Sequence, residues 1–297
     1  MHIRRVTSAF LTSAAILALA VSTSKADGDE PKNIKDNSFL IEEAYNQEKG
    51  VAQHIFNWVP SWDHDGGDHR EFSFLYTIEL PMGGETNQFS FTPMNFEHFV
   101  DDPDGGPRDE QGGWGDTFVN YRYQLVFEDE NGWQPAVAPR FSLILPTGDE
   151  NRGLGVGVLG YQFNLPISKE LERFAFHFNA GTTLFPNASV DLAGGGDSSG
   201  RDLHGYNVGG SAIWLASYDV NFLLEFVTYW QQELDDVGRV DNTTTILLDP
   251  GVRAALYTSD EIQWVVGLGT PIGLSQDAPD ISLFIYMSIE HKFRHLD

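Results

Sequence analysis

The sequence predicts an all-β chain, a transmembrane up-and-down antiparallel β-barrel of about 12 strands. Three observations carry that expectation. From residue 51 onward, units of about ten to fourteen residues with alternating or aromatic-rich character repeat, separated by Gly, Pro, Asn and Asp. Every second connection is longer and more acidic, as in a barrel with short turns at one rim and long loops at the other. No long amphipathic helix and no run of the ~18 apolar residues needed for a helical span interrupts the pattern.

Taken in order, residues 1–26 carry Arg4 and Arg5, an apolar stretch from Ala9 to Val21, and the small residues of Ser24-Lys25-Ala26 before Asp27. This reads as a cleaved secretory signal peptide, the stretch being too short for a comfortable anchor. Residues 27–50 precede the strands. Within them Phe39-Leu40-Ile41-Glu42-Glu43-Ala44-Tyr45, after Ser38, suits a short plug helix under or inside the barrel, or equally a mobile periplasmic leader.

Residues 51–297 form the barrel. Its strands are expected near 51–62, 70–81, 86–99, 116–128, 133–146, 154–166, 174–187, 205–216, 221–234, 243–257, 262–274 and 281–293. In the second, Phe72, Phe74, Tyr76, Ile78 and Leu80 alternate with Glu71, Ser73, Thr77 and Glu79, so one face is apolar and the other charged or small. A soluble sandwich would show shorter strands of ~5 to 6 residues. Trp58, Trp62, Trp114, Trp133, Trp214, Tyr218 and Tyr257 fall near predicted strand ends, where interfacial girdles lie. These features imply the bacterial outer membrane, with periplasmic termini and the long acidic loops (63–69, 100–115, 147–153, 188–204, 235–242 and 275–280) outside.

Composition agrees. The chain has 297 residues with 30 Gly, 21 Phe, 10 Tyr and 7 Trp, which can build an ordered structure, unlike an acidic disordered chain. It has no Cys, which excludes disulfides and thiolate chemistry. Its formal charge of −25 opposes nucleic-acid binding.

Gly115-Asp116-Thr117 with Arg122-Tyr123, then Pro139 and Leu145-Pro146-Thr147-Gly148-Asp149 followed by Gly153 and Gly155, resembles the outer-membrane meta-pathway phenol degradation family of transporters. The leader from Ser38 to Gln47 is similar to one branch of that family. The resemblance implies a transmembrane barrel and uptake of hydrophobic or aromatic compounds, with Gly115, Asp116, Arg122, Pro146, Thr147, Gly148 and Asp149 as its motif residues. The carboxyl end departs from the usual pattern, since Phe293 is followed by Arg294-His295-Leu296-Asp297.

On the lumen-facing parity lie Glu79, Arg122, Arg140, His177, Glu225, Asp249, Arg253, Glu290 and Lys292. Arg122 and Arg140 fall on adjacent strands, and Glu225 or Asp249 with Arg253 is expected to answer them from the opposite wall. Such charges line a path, or merely pair so that none is buried alone. Other signals fail. Gly155-Val156-Gly157-Val158-Leu159-Gly160 has the dinucleotide spacing but reads as a glycine-rich strand, with no helix after it. Asp102, Asp104 and Gly105 start like a calcium loop, yet Gly113 stands where its Glu belongs. No metal site and no cofactor are predicted. A lipid hydrolase ranks last, because no Gly-x-Ser-x-Gly accompanies His177, His98, His54 or His291. The expected function is therefore passive passage of small solutes by a non-enzyme. The alternative is a closed-lumen structural or surface-binding barrel. Expected partners are outer-membrane lipid, lipopolysaccharide, the barrel-insertion machinery and a small-molecule solute.

Overall fold

The computed structural model describes residues 24–25, 34, 36, 38–129, 131–190, 198–235 and 237–293. Apart from Ser24–Lys25, which pair in parallel with Tyr257 and Thr258, the predicted signal peptide lies outside the described residues, as does the tail 294–297. Twelve antiparallel staves close into a ring. They are β1 (Val51–Asp63), β2 (Gly67–Pro81), β3 (Asn87–Pro103), β4 (Asp109–Trp114 with Thr117–Tyr123) and β5 (Ala136–Val137 with Arg140–Leu145). Next come β6 (Gly160–Leu171), β7 (Phe174–Ala188), β8 (Arg201–Leu215), β9 (Val220–Leu234) and β10 (Val240–Thr258). The ring ends with β11 (Ile262–Gly269 with Ile272–Gly273) and β12 (Ile281–Ser282 with Phe284–Lys292). β12 returns to β1 in a register running from Ile285 opposite Trp58 to Lys292 opposite Val51, so no edge strand is left open.

Alternation sorts the side chains. On β9, Phe222, Leu224 and Phe226 are 46, 51 and 46 % exposed, whereas Leu223, Glu225 and Val227 are at most 4 %. Tyr121 and Tyr123 likewise point outward from β4 while Asn120 and Arg122 are buried. An outer surface rich in Phe, Tyr and Leu around an interior holding Gln53, Ser73, Gln88, Ser142 and Glu225 inverts the polarity of a water-soluble barrel, as a hydrocarbon exterior requires. Trp114, Trp133 and Trp214 are exposed near stave ends, but Trp58 sits mid-strand in an aromatic row with Phe56 and Phe74.

Several boundaries differ from expectation. The hairpins β1–β2 and β3–β4 zip past the apolar band, leaving turns at 64–66 and 104–108 rather than loops at 63–69 and 100–115. Their acidic residues meet partners across the sheet, His69 with Asp101 and His98 with Glu110 at 3.2 Å, so charge there continues a strand in water. β6 runs over 160–171 instead of 154–166. The stretch containing Gly155 and Gly157 is part of a loop, 146–159, that opens with a 3₁₀ turn over Glu150–Arg152. Asp116 is the cause, since its carboxylate draws in Gly148 N–H at 3.0 Å and Val156 N–H at 3.2 Å.

Candidate functional site: a lumen threaded by the leader

The leader fills the ring. Its described residues 38–50 form no helix, contrary to one of the two expectations for the segment. A helix would satisfy its own backbone groups, whereas here lumen side chains satisfy them. The N–H groups of Phe39 and Leu40 donate to Glu225 Oε2 at 3.0 and 3.1 Å. Asn179 both accepts from Glu42 N–H and donates to Glu42 O, each at 2.7 Å. Further along, Ala44 N–H donates to Ser168 Oγ at 2.7 Å and Gln47 N–H to Gln88 Oε1 at 2.6 Å.

Room for the segment comes from glycine. A Cβ on Gly251, Gly267 or Gly269 would come within 2.5 to 2.6 Å of the Phe39 ring, so only a bare backbone lets that ring lie against β10 and β11. The ring stacks on Phe284 with centroids 5.2 Å apart. Upstream, Asp36 is wholly buried and accepts from Gln53 Nε2 at 2.6 Å, Tyr286 Oη at 2.5 Å and Ser288 Oγ at 2.5 Å.

The charged residues selected from sequence divide into groups. Arg122 and Arg140 stand opposite each other in register on β4 and β5. They are answered by Glu42 of the leader, at 3.1 Å in each case, and not by Glu225 or Asp249 as expected. The leader lies between the two walls and intercepts the pairing. Arg122 also donates to Asn46 Oδ1 (2.8 Å), Glu43 O (3.0 Å) and Tyr45 O (2.5 Å), with Glu79 Oε2 3.7 Å away. On the far wall Glu225 and Asp249 are cross-strand neighbours, both fully buried. Arg253 turns instead to the leader carbonyl of Asp36, at 2.5 Å. Glu290, hydrogen-bonded to the leader's Gln47, and the exposed Lys292 lie at the mouth nearest the start of β1, where they line a cavity of about 550 Å³ with Glu43 and Glu128.

His177 is buried with Nδ1 2.7 Å from Ser168 Oγ, a pair that the nine-residue separation in sequence did not suggest. Because the same hydroxyl takes the Ala44 N–H, the pair clamps the leader inside the ring, away from the outer surface. The motif residues knit the opposite rim. Gly115 N–H donates to Asn95 O at 2.6 Å, and Thr147 Oγ1 donates to Gly115 O at 3.2 Å. Asp149 caps the 3₁₀ turn after Pro146, and a Cβ on Gly148 would collide with Leu154 O. Loop 146–159 is thereby drawn over the lumen with Leu154 buried. Between this loop and the leader lies a cavity of about 330 Å³.

No protein-family model matches the chain, and no curated protein matches it. Among solved structures, an outer-membrane channel from Pseudomonas putida F1 aligns with a TM-score of 0.59 at 11% identity, covering 84% of this chain and 98% of that one. The transport unit of the autotransporter AIDA-I from Escherichia coli aligns with a TM-score of 0.53 at 10% identity, covering 86% and 95%. At such identities the likeness is one of fold. The chain has the fold of outer-membrane β-barrels.

Proposed function

We propose that the protein is a passive channel of the bacterial outer membrane, exported by the signal peptide 1–26 and inserted by the barrel-assembly machinery, that admits small solutes past its amino-terminal leader. The observation that carries this reading is the nature of the obstruction. The wall's own side chains leave room for a separate chain segment, held by noncovalent contacts alone, with a cavity on either side of it. A segment of that kind can move without unfolding the ring. The likeness in fold to the P. putida outer-membrane channel supports the reading, and the motif between Gly115 and Asp149 supports kinship with the phenol-degradation transporters. The number of leader contacts favours a second reading, a permanently closed barrel that presents its acidic rim to lipopolysaccharide.

Planar-bilayer recording separates the two. Protein that shifts mobility on SDS gels when boiled, and is therefore a folded barrel, should conduct as full chain, and more strongly after deletion of residues 27–47. Silence of both proteins would remove the channel reading.

A further inference from the structure

The wall sets two arginines side by side. Arg122 on β4, Arg140 on β5 and Asn164 on β6 stand opposite one another in register, a row of donors across three staves. Like charges directly opposite on neighbouring strands repel, so the pair calls for an anion between them. Glu42 is that anion. Its Oε1 meets Arg122 Nη1 at 3.1 Å, while its Oε2 meets Arg140 Nη1 at 3.1 Å and accepts from Asn164 Nδ2 at 3.0 Å. One carboxylate thus receives three donors from the wall, and it comes from the leader rather than from the wall. Without the leader, Arg122 keeps Glu79 at 3.7 Å, but Arg140 forms no other ion pair among the described residues. The ring therefore carries a cradle for a carboxylate, which the leader fills with its own.

We infer that Glu42 occupies a binding site for the solute itself, and that the solute is a small monocarboxylate with an apolar body. The inference deepens the channel reading, on which it rests for the departure of the leader, by naming the class of solute. Exchanging one carboxylate for another leaves the charge around Arg122, Arg140 and Glu79 unchanged, whereas a neutral or cationic solute leaves the two guanidiniums facing each other. Bonds from guanidinium to carboxylate are charge-assisted and directional, which favours a planar group with one oxygen for each arginine. What lies beyond the cradle selects the apolar body. Glu42 and Arg140 border the cavity of about 330 Å³ beneath loop 146–159. From the arginine row toward that loop, the inward positions of β4 and β5 are Asn120 and Ser142, then Phe118 and Ile144, with Leu154 of the loop beyond them. At ~3.4 Å per residue, Phe118 and Ile144 stand about 14 Å along the staves from the row. A carboxylate seated on the arginines therefore sends a body of several carbons past two polar positions to an apolar end.

The test is a ligand-observed NMR titration of the detergent-folded full chain with three probes, 4-phenylbutanoate, 4-phenylbutanol and acetate, each read against an unrelated barrel in the same detergent. Glu42→Ala vacates the cradle, so it should bind 4-phenylbutanoate at least fivefold more tightly than the parent, whose own carboxylate competes. The alcohol has the body without the charge, and acetate the charge without the body; each should bind Glu42→Ala at least fivefold more weakly than 4-phenylbutanoate. Adding Arg140→Gln should abolish the gain. Heat-modifiable gel mobility shows which variants fold, and Glu42→Gln, held to the same thresholds, decides if Glu42→Ala does not. A gain below fivefold, an alcohol or acetate affinity within fivefold of that of 4-phenylbutanoate, or a gain that survives Arg140→Gln would overturn the inference. The expected binding in a protein that stays silent in bilayers, with and without its leader, would refute the channel and leave the site standing; conduction without that binding would do the reverse.

Discussion

Replacing Arg122 by Ala should release the leader. The guanidinium bonds to four residues of the leader: the Glu42 carboxylate, the Glu43 and Tyr45 carbonyls and the Asn46 side-chain amide. It is also the near cation for Glu79, at 3.7 Å, whose carboxylate accepts besides from the Gln88 amide. Breaking a buried ion pair by removing one side typically costs about 3 to 5 kcal/mol, because a carboxylate is left buried without its counter-charge. Expressed on the docking equilibrium of residues 38–47, that is roughly a 10²- to 10⁴-fold shift toward the released state. Hydrogen exchange in detergent reads this directly: the amides of Phe39, Leu40, Glu42, Ala44 and Gln47 should lose protection together while β9 and β10 keep theirs. Arg122→Lys should recover only part of the protection, since a single ammonium cannot reproduce the planar fork. If Arg122→Ala left leader exchange within twofold of the parent, the claim that Arg122 holds the plug would be refuted.

Two further outcomes test other parts of the account. Gly267→Ala should unseat Phe39, with the Cβ arriving 2.5 Å from its ring, and Phe39→Ala should relieve that strain; a double-mutant cycle on thermal stability should show coupling of about 0.5 to 3 kcal/mol, and strict additivity would count against the packing described. In the turn after β9, Asp235 is held below its ordinary value of 3.8, first by the backbone N–H of Arg239 and then by its guanidinium, with the Val237 N–H adding to both. A carboxylate depressed by folding stabilises above its unfolded value, and that contribution disappears as pH falls through the lower folded value. Amide protection at Arg239 should therefore be constant from neutral pH to about 3.8 and decline below it, and Asp235→Asn should abolish the dependence; an unchanged profile in the variant would contradict the assignment.

Much of the barrel was legible in the chain because a membrane imposes its demand residue by residue. Outward positions on β4 and β9 call for apolar side chains while inward ones admit polar ones, so Tyr121 beside Arg122, or Leu224 beside Glu225, declares its face without knowledge of the rest. The number of staves and the inward parity of Arg122, Arg140 and Glu225 followed from that local rule. Loop boundaries were read less well, because acidic residues such as Asp101 and Asp109 signal water, and a strand standing in water is as acidic as a loop.

The interior belongs to the tertiary structure. Phe39 reaches Glu225 across 186 residues, Glu42 reaches Asn179 across 137, and Ala44 reaches Ser168 across 124. No periodicity within the segment encodes partners that become neighbours only when β12 closes on β1. The same closure diverts Glu42 to Arg122 and Arg140, leaves Glu225 to the leader backbone, and puts glycines of β10 and β11 beneath one phenylalanine. Sequence by itself determined the wall, because its chemistry is set by the medium each side chain faces. Only the closed ring decided what fills it, because hydrogen-bond complementarity between a leader and a lumen exists once all twelve staves are in place.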